Sequence, residues 1–398
     1  MTNAVIVDVV RTAGGKRNGK LSGWHPVDLA AETLKALEER NKLDPKLIDD
    51  VIMGCVMQVG AQALNIGRNA VLAAGWPEAV PSTTIDRQCG SSQQSLHFAA
   101  QGVMAGAYDV VVAAGVEVMS LVPMGATLSA PNTGFAFSDT VMKRYEPVGG
   151  LQPQGIGAEM IADEWKLSRE DLDEFGARSQ QLAAKATSEG RFEKEIIPVK
   201  TKHKDKETGK ISESDELVKA DEGIRPDTTA ESLGKLKPAF KEDGKITAGN
   251  SSQITDGASA VLVMSEEKAK ALGLKPRARF HSFALAGVDP VTMLTGPIPA
   301  TKKILERSKL KIDDIDHVEI NEAFASVVLA WEKELHPDMS KVNPNGGAIA
   351  LGHPLGCSGT KLMATMVNEL ERTGGRYGLQ TMCEGGGMAN ATIIERLG

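Results

Sequence analysis

Short apolar runs alternate along this chain with stretches whose apolar residues return every three or four positions. Ala4 to Val10, Ile48 to Val56 and Asp109 to Gly115 read as strands, the last buried on both faces. Asp28 to Glu39 sets Leu29, Ala30, Thr33, Leu34 and Leu37 on one side and predicts a helix, as does Ile66 to Ala74. Thr84 to Ser92 reads as a strand end, a tight turn and a helix start. The helix behind it carries Leu96, Ala99, Ala100, Val103 and Met104 on one face. Strands alternating with helices predict α/β layers.

The pattern recurs in the last third. Leu37 to Arg40, Leu43 and Leu47 to Val51 resemble Leu305 to Arg307, Leu310, Ile312 to Ile315 and Val318; each set reads as helix, turn and strand. Cys89 followed by a helix is echoed by Gly356-Cys357-Ser358-Gly359 and the helix Lys361 to Glu371. Each echo leads into a strand, Asp109–Ala114 and Tyr377–Met382. Recurrence in a fixed order predicts an internal duplication, with loops of both halves meeting at a seam.

Between the halves the rhythm breaks. Residues 121–252 read as an insertion covering that seam. Glu159 to Gly190 is helical, with a capping box from Ser168 to Asp171 and Gly190 as C-cap. Lys200 to Glu222 reads as a solvated hairpin or loop. From Ile254 to Met264 a helix-to-strand pattern returns to the first half. The expected division is 1–120 (completed by about 253–273), 121–252 and 274–398.

Composition narrows the function classes. The chain has 398 residues, long for one core. A net charge of −7 argues against nucleic acid as the main partner. No apolar run reaches membrane-spanning length, and no basic, apolar leader opens the sequence. The four cysteines, at 55, 89, 357 and 383, show no metal-ligand spacing. A cytoplasmic protein with reduced thiols and no metal is expected.

Four stretches carry the candidate chemistry. Cys89 stands at a helix start, where the macrodipole and free N–H groups are expected to lower its pKa; a small buried cysteine is the alternative. Asn321-Glu322-Ala323-Phe324 ends an apolar strand, and Asn321 is read as a ligand-facing amide or a helix cap. His353 lies in Gly352-His353-Pro354, a glycine-rich setting that favours a cleft. Cys383 precedes Gly385-Gly386-Gly387, whose N–H groups suit an anion hole. Cys55 and Cys357 read as packing residues, and the other six histidines as structural or solvated. A nucleophilic cysteine, a histidine base and a second thiol that moves a proton to carbon suggest carbon–carbon bond chemistry on a thioester.

With these four motifs in this order, the chain resembles the thiolases, acyl-CoA C-acyltransferases, over nearly its full length. The resemblance implies two similar α/β halves stacked in five layers, αβαβα, with an inserted loop domain. It implies thiolytic cleavage of a 3-ketoacyl-CoA through an acyl-Cys89 intermediate. His353 would activate Cys89 and, with a water held by Asn321, polarise the thioester oxygen. Cys383 would protonate the departing enolate, and the N–H groups of Cys89 and Gly385 would form a second oxyanion hole. Arg225, Ser232, Phe240, Ala248 and Ser252 match positions lining the coenzyme A channel. Met293, Ala323 and Phe324 match positions nearer the acyl end. Acyl-CoA and CoA would be the partners, with no permanently bound cofactor, in a homodimer or homotetramer.

Three departures stand out. Pro153-Gln154-Gly155 replaces the His-Met-Gly of short-chain biosynthetic members. Glu384 sets a carboxylate beside Cys383 and, if buried, is expected to raise that thiol's pKa. Ala389 replaces a common glycine. The first and the runs after Cys89 and before His353 look most like the degradative branch, which includes thiolases of steroid side chains. Weighed against it are a biosynthetic acetoacetyl-CoA thiolase, a ketoacyl synthase, a Cys-His-Asn hydrolase and a thiolase-fold CoA binder without activity.

Overall fold

A computed structural model describes residues 2–128 and 134–398. The first half opens on β1 (Ala4–Arg11), all eight residues buried, followed by the two-residue β2 (Gly15–Lys16). Helix α1 (Pro26–Asn41) starts on a proline and stops at Lys42 in the left-handed region. Its buried face is Leu29, Ala30, Thr33, Leu34 and Leu37, the predicted set. Then come β3 (Asp50–Gly54), α2 (Ile66–Ala73), β4 (Ser82–Ile85), α3 (Ser91–Met104) and β5 (Val110–Val118).

The chain next leaves the sheet. It forms α4 (Asp139–Tyr145), α5 (Gln154–Glu164), α6 (Arg169–Ser188), the hairpin β6 (Val199–Lys204) and β7 (Ile211–Val218), and α7 (Ala230–Gly234). It returns with β8 (Thr255–Ser265) and α8 (Glu266–Ala271). The second half is β9 (Ala278–Gly287), α9 (Pro297–Ser308), β10 (His317–Ile320), α10 (Ala325–Leu335), α11 (Ala348–Leu351), α12 (Ser358–Thr373), β11 (Tyr377–Glu384) and β12 (Met388–Arg396).

The topology repeats. The first half runs β4-β3-β5-β8-β1 and the second β10-β11-β12-β9. β3–β5 and β10–β11 pair parallel; β5–β8, β8–β1, β11–β12 and β12–β9 pair antiparallel. One aspartate sets the register in each half. Asp49 accepts from the N–H groups of Asp109 and Val110, and Asp316 from those of Arg376 and Tyr377. The halves join edge to edge through only two residue pairs, Val5–Arg279 and Ile6–Ala278.

Alternation along the strands sends side chains to two faces. Val5, Val7 and Val10 pack on α1 and α2, while Ile6 and Val9 face a middle layer of α3 and α12. That layer also meets Phe280 and Ile394 of the second half, whose other face is covered by α9 and α10. This is the expected five-layer αβαβα stack. Burying a side chain such as Leu96 of α3 contributes about 1.5–3 kcal/mol.

Three local readings change. The predicted helix over 159–190 is two helices, broken at Lys166 in the left-handed region, although the Ser168–Asp171 capping box is present. Residues 255–265 are strand throughout. The charged stretch 200–222 does form a solvated hairpin, but Asp221 at its end is buried. Together with Glu195 it clamps the fully buried Arg11 of β1, at 2.8 and 2.6 Å, which fastens the inserted segment to the first half.

Candidate active site

Cys89 sits between β4 and α3 in a turn built by its neighbours. Gln88 adopts φ +48°, a left-handed conformation that few non-glycine residues take. Ser91, the first helical residue, holds the turn: its hydroxyl donates to the Gln88 carbonyl at 2.6 Å and accepts from the Arg87 N–H at 2.9 Å. The Cys89 side chain is buried, with its own N–H and that of Gly385 directed at the sulfur, alongside the Gln154 amide. A Cβ on Gly385 would stand 2.9 Å from Gln88 Oε1, so the Gln88 side chain would have to shift.

Burial pushes the Cys89 thiol up to about 12, and the nearby Glu384 carboxyl adds to this. The expectation that the helix start lowers this pKa is therefore overturned. Loss of solvation outweighs the two N–H groups and the Gln154 amide, so Cys89 rests as a thiol and needs a base to take its proton.

His353 supplies an imidazole in the right state. The backbone N–H of His353 donates to the Thr255 hydroxyl at 3.0 Å. Ser358 Oγ donates to the Pro354 carbonyl at 2.9 Å, so at 2.5 Å from His353 Nδ1 it acts as acceptor of the ring Nδ1–H. This leaves Nε2 as the free base, 3.4 Å from Asn321 Nδ2. Burial, with Lys361 nearby, pulls the imidazole down to about 3, so it is neutral. Leu355, two residues on, shares an apolar cluster with Cys89.

Asn321 ends β10, and its buried Oδ1 has no partner. The next residue fixes it. The Glu322 carboxyl accepts from Ser179 Oγ at 2.6 Å, Asn343 Nδ2 at 3.0 Å and the Ile349 N–H at 3.2 Å, tying this turn to the loop that carries His353.

Cys383 lies at the end of β11, fully buried. Its thiol is pushed well above the ordinary value by burial first, then by Cys89, then by Glu384. The two thiols therefore lie near enough for charge on one to oppose charge on the other. Glu384 does raise Cys383, as expected, but it ranks higher among the causes for Cys89. Its own carboxyl is pushed up to about 8, by burial first.

The matched channel residues fall into two groups. Ser252 N–H donates to the Ala323 carbonyl and the Ala325 N–H to the Asn250 carbonyl, both at 2.9 Å, which sets Ala248 and Ser252 beside Ala323 and Phe324. Phe240 packs edge-on to Phe324, 6.0 Å between ring centres, and fills the space over Gly155. Met293, Ala323, Phe324 and Cys383 belong to one apolar cluster. Arg225 and Ser232 lie further out and are exposed. The Ser232 hydroxyl closes the capping box of α7 with Thr229.

Ser358, Gln154 and Glu322 did not emerge from the sequence as site residues. Glu322 stood in the Asn321 motif and Gln154 in the Pro153-Gln154-Gly155 run, but neither was given a role. Cys55 and Cys357 are buried packing residues, as expected. Among the described residues no cluster of potential metal ligands occurs.

Known proteins share this arrangement. Residues 4–267 match the thiolase N-terminal domain and 274–396 the thiolase C-terminal domain. The steroid 3-ketoacyl-CoA thiolase FadA6 of Mycobacterium tuberculosis is 52% identical, over 100% of this chain and 95% of that protein. The 3-ketoacyl-CoA thiolase of Bacillus subtilis is 45% identical, over 99% and 100%. The crystal structure of Bacillus anthracis acetyl-CoA acetyltransferase superposes with a TM-score of 0.89 at 41% identity, over 100% of this chain and 99% of that one. With both domains matched end to end, and two cysteines, a histidine and an asparagine converging at the seam of a duplicated fold, the chain belongs to the thiolase family of acyltransferases.

Proposed function

We propose that this protein cleaves 3-ketoacyl-CoA with free CoA, giving acetyl-CoA and an acyl-CoA shortened by two carbons. The observation that carries the reading is the pairing of two buried thiols with a neutral imidazole whose free nitrogen is fixed by Ser358. The chemistry then follows. Cys89 gives its proton to His353 Nε2 as its sulfur attacks the 3-keto carbon. The negative charge on the keto oxygen falls between the N–H groups of Cys89 and Gly385. The C2–C3 bond breaks, and its electron pair becomes the enolate of acetyl-CoA. The protonated His353 and Asn321, with a water, hold the enolate oxygen while Cys383 delivers its proton to C2. In the second half-reaction the Cys383 thiolate takes the proton of incoming CoA. The CoA sulfur attacks the acyl-Cys89 carbonyl, and Cys89 leaves and recovers its proton from His353.

The lining by Phe240, Ala248, Ser252, Met293, Ala323 and Phe324 supports a channel for the pantetheine arm, with exposed Arg225 and Ser232 towards the nucleotide end. Three units serve this chemistry: 1–120 completed by 253–273, the covering segment 121–252, and 274–398. The name of the M. tuberculosis relative, and Gln154 in place of a methionine, favour a degradative enzyme for bulky 3-ketoacyl groups over a biosynthetic one. The half-exposed edge strand β4 offers unpaired backbone groups for a homodimer, which could pair again into a tetramer. A cytoplasmic setting suits its four reduced thiols. No helix among the described residues is long and apolar enough to cross a membrane.

The test is an intact mass after brief mixing with acetoacetyl-CoA and with a polycyclic 3-ketoacyl-CoA, without free CoA. A hydroxylamine-labile acyl adduct on Cys89 is expected with at least one. No adduct with either, in protein that binds CoA, rejects the reading.

A further inference from the structure

The duplication places a buried glutamate at the same point of each half. β3 and β10, α3 and α12, and β5 and β11 begin 267 residues apart, as Asp50 and His317, Ser91 and Ser358, and Val110 and Tyr377. The same spacing pairs Glu117 with Glu384, and Gly356 with Cys89. Glu117 is fully engaged. It accepts from the N–H groups of Val56 at 2.9 Å, Met57 at 3.1 Å and Gly356 at 2.9 Å, and from Gln62 Nε2 at 2.5 Å.

Glu384 is equally buried, yet neither of its oxygens has a partner. The N–H that corresponds to Gly356 is that of Cys89, and it is directed at the Cys89 sulfur instead. The carboxyl still lies against the Cys89 turn. It leaves no room for a Cβ on Gly90, and beside it Asn390 Nδ2 donates to the Gly90 carbonyl at 3.1 Å. So the turn that carries the nucleophile rests on a carboxyl that has lost the donors its counterpart has.

A carboxylate without donors costs far more in such a place than a neutral carboxylic acid does. The charged and titratable groups facing it are Arg87 and Asp86 from the turn, Cys89 above it and Cys383 on its own strand. Arg87 favours ionisation and Asp86 opposes it, and neither forms an ion pair with it among the described residues. Both thiols ionise far above the range in which this carboxyl does.

We propose that Glu384 is a positioning residue that supports the Cys89 turn as an uncharged acid, and that loss of its proton to solvent switches the site off. The anion faces a site where negative charge must develop twice, on the keto oxygen between the Cys89 and Gly385 N–H groups and on Cys383. It opposes both, and it holds the Cys89 thiol more firmly protonated. The proposal rests on Cys89 being the nucleophile.

The experiment compares full-length wild type with Glu384→Gln, an uncharged isostere. The probe is iodoacetamide, with the alkylation rate read at Cys89 by peptide mass from about pH 7 to about pH 9.5. The rate ratio of variant to wild type is expected to rise about tenfold across this window, because each pKa unit imposed on a thiol is a tenfold change in thiolate. A flat ratio overturns the proposal. So does a Gln variant that fails to fold, since an uncharged side chain would then not support the turn. The acyl adduct from 3-ketoacyl-CoA is scored separately in wild type; its absence would reject the proposed function and leave the alkylation ratio to decide on Glu384.

Discussion

At the start of α3, Ser91 reaches back to the Gln88 carbonyl and the Arg87 N–H and so shapes the turn that presents Cys89. At the start of α12, 267 residues on, Ser358 reaches back to the Pro354 carbonyl and holds His353 Nδ1. One repeated device thus positions the proposed nucleophile in one half and orients its proposed base in the other. The cysteines themselves are not counterparts. By the same spacing Cys357 matches Gly90, and Cys89 matches Gly356. Cys357 is enclosed, 3.0 Å from Ser259 Oγ, and burial pushes it up to about 11. A helix start therefore does not by itself make a cysteine reactive. What distinguishes Cys89 is the seam, where Gly385, Cys383 and His353 arrive from the other half.

The largest test of this contrast is Cys89→Ala. Thiolysis is expected to fall by at least about 10⁴-fold, since no other group can carry the acyl chain; a residual rate within tenfold of wild type would break the comparison. Next is Glu117→Ala. It leaves the N–H groups of Val56, Met57 and Gly356 buried and unpaired, and should cost about 3–5 kcal/mol in denaturant unfolding. A loss below about 1 kcal/mol would mean that the turns around Val56 and Gly356 do not depend on the first-half glutamate.

Ser358→Ala should lower kcat by about 100-fold, because the imidazole loses the acceptor that fixes its tautomer. The pH–rate profile separates this from a simple packing loss: the variant should depart from wild type at every pH, with folding intact by circular dichroism. Cys357→Ala should do least. Turnover is expected to stay within about threefold and stability to fall by about 1 kcal/mol, the cost of trimming one buried atom. A large loss of kcat would show that the two helix starts share more chemistry than their surroundings suggest.

The main strands had a readable source in the sequence. Alternating apolar runs gave β1, β3, β5 and β11 within a few residues, and the recurrence of Leu47 to Val51 in Ile312 to Val318 marked the repeat. It could not set the register of the repeat. The resemblance between Cys89-Gly-Ser and Cys357-Ser-Gly pointed to the wrong pairing by one residue, because two glycine-flanked cysteines look alike until the helices are superposed. The break at Lys166 escaped because Asp163 to Leu167 keeps a helical composition while the chain turns to pack on α10.

Cys89, Asn321, His353 and Cys383 were legible because their chemistry requires those residue types in glycine-rich turns, and glycine leaves a mark in any sequence. Their ionisation states were not. Position at a helix start pointed to an acidic thiol, while enclosure by both halves made it a weak acid with a neutral base beside it. Solvation is set by every atom that surrounds a group, and those atoms come from segments hundreds of residues apart. For the same reason Ser358 was not singled out, nor the contrast between a satisfied Glu117 and an unpartnered Glu384. The sequence by itself determined the two-fold α/β plan and singled out Cys89, Asn321, His353 and Cys383 as the candidate chemical groups. Only the tertiary structure decided the surroundings of each helix start and the ionisation states there, because it alone brought the two halves into contact.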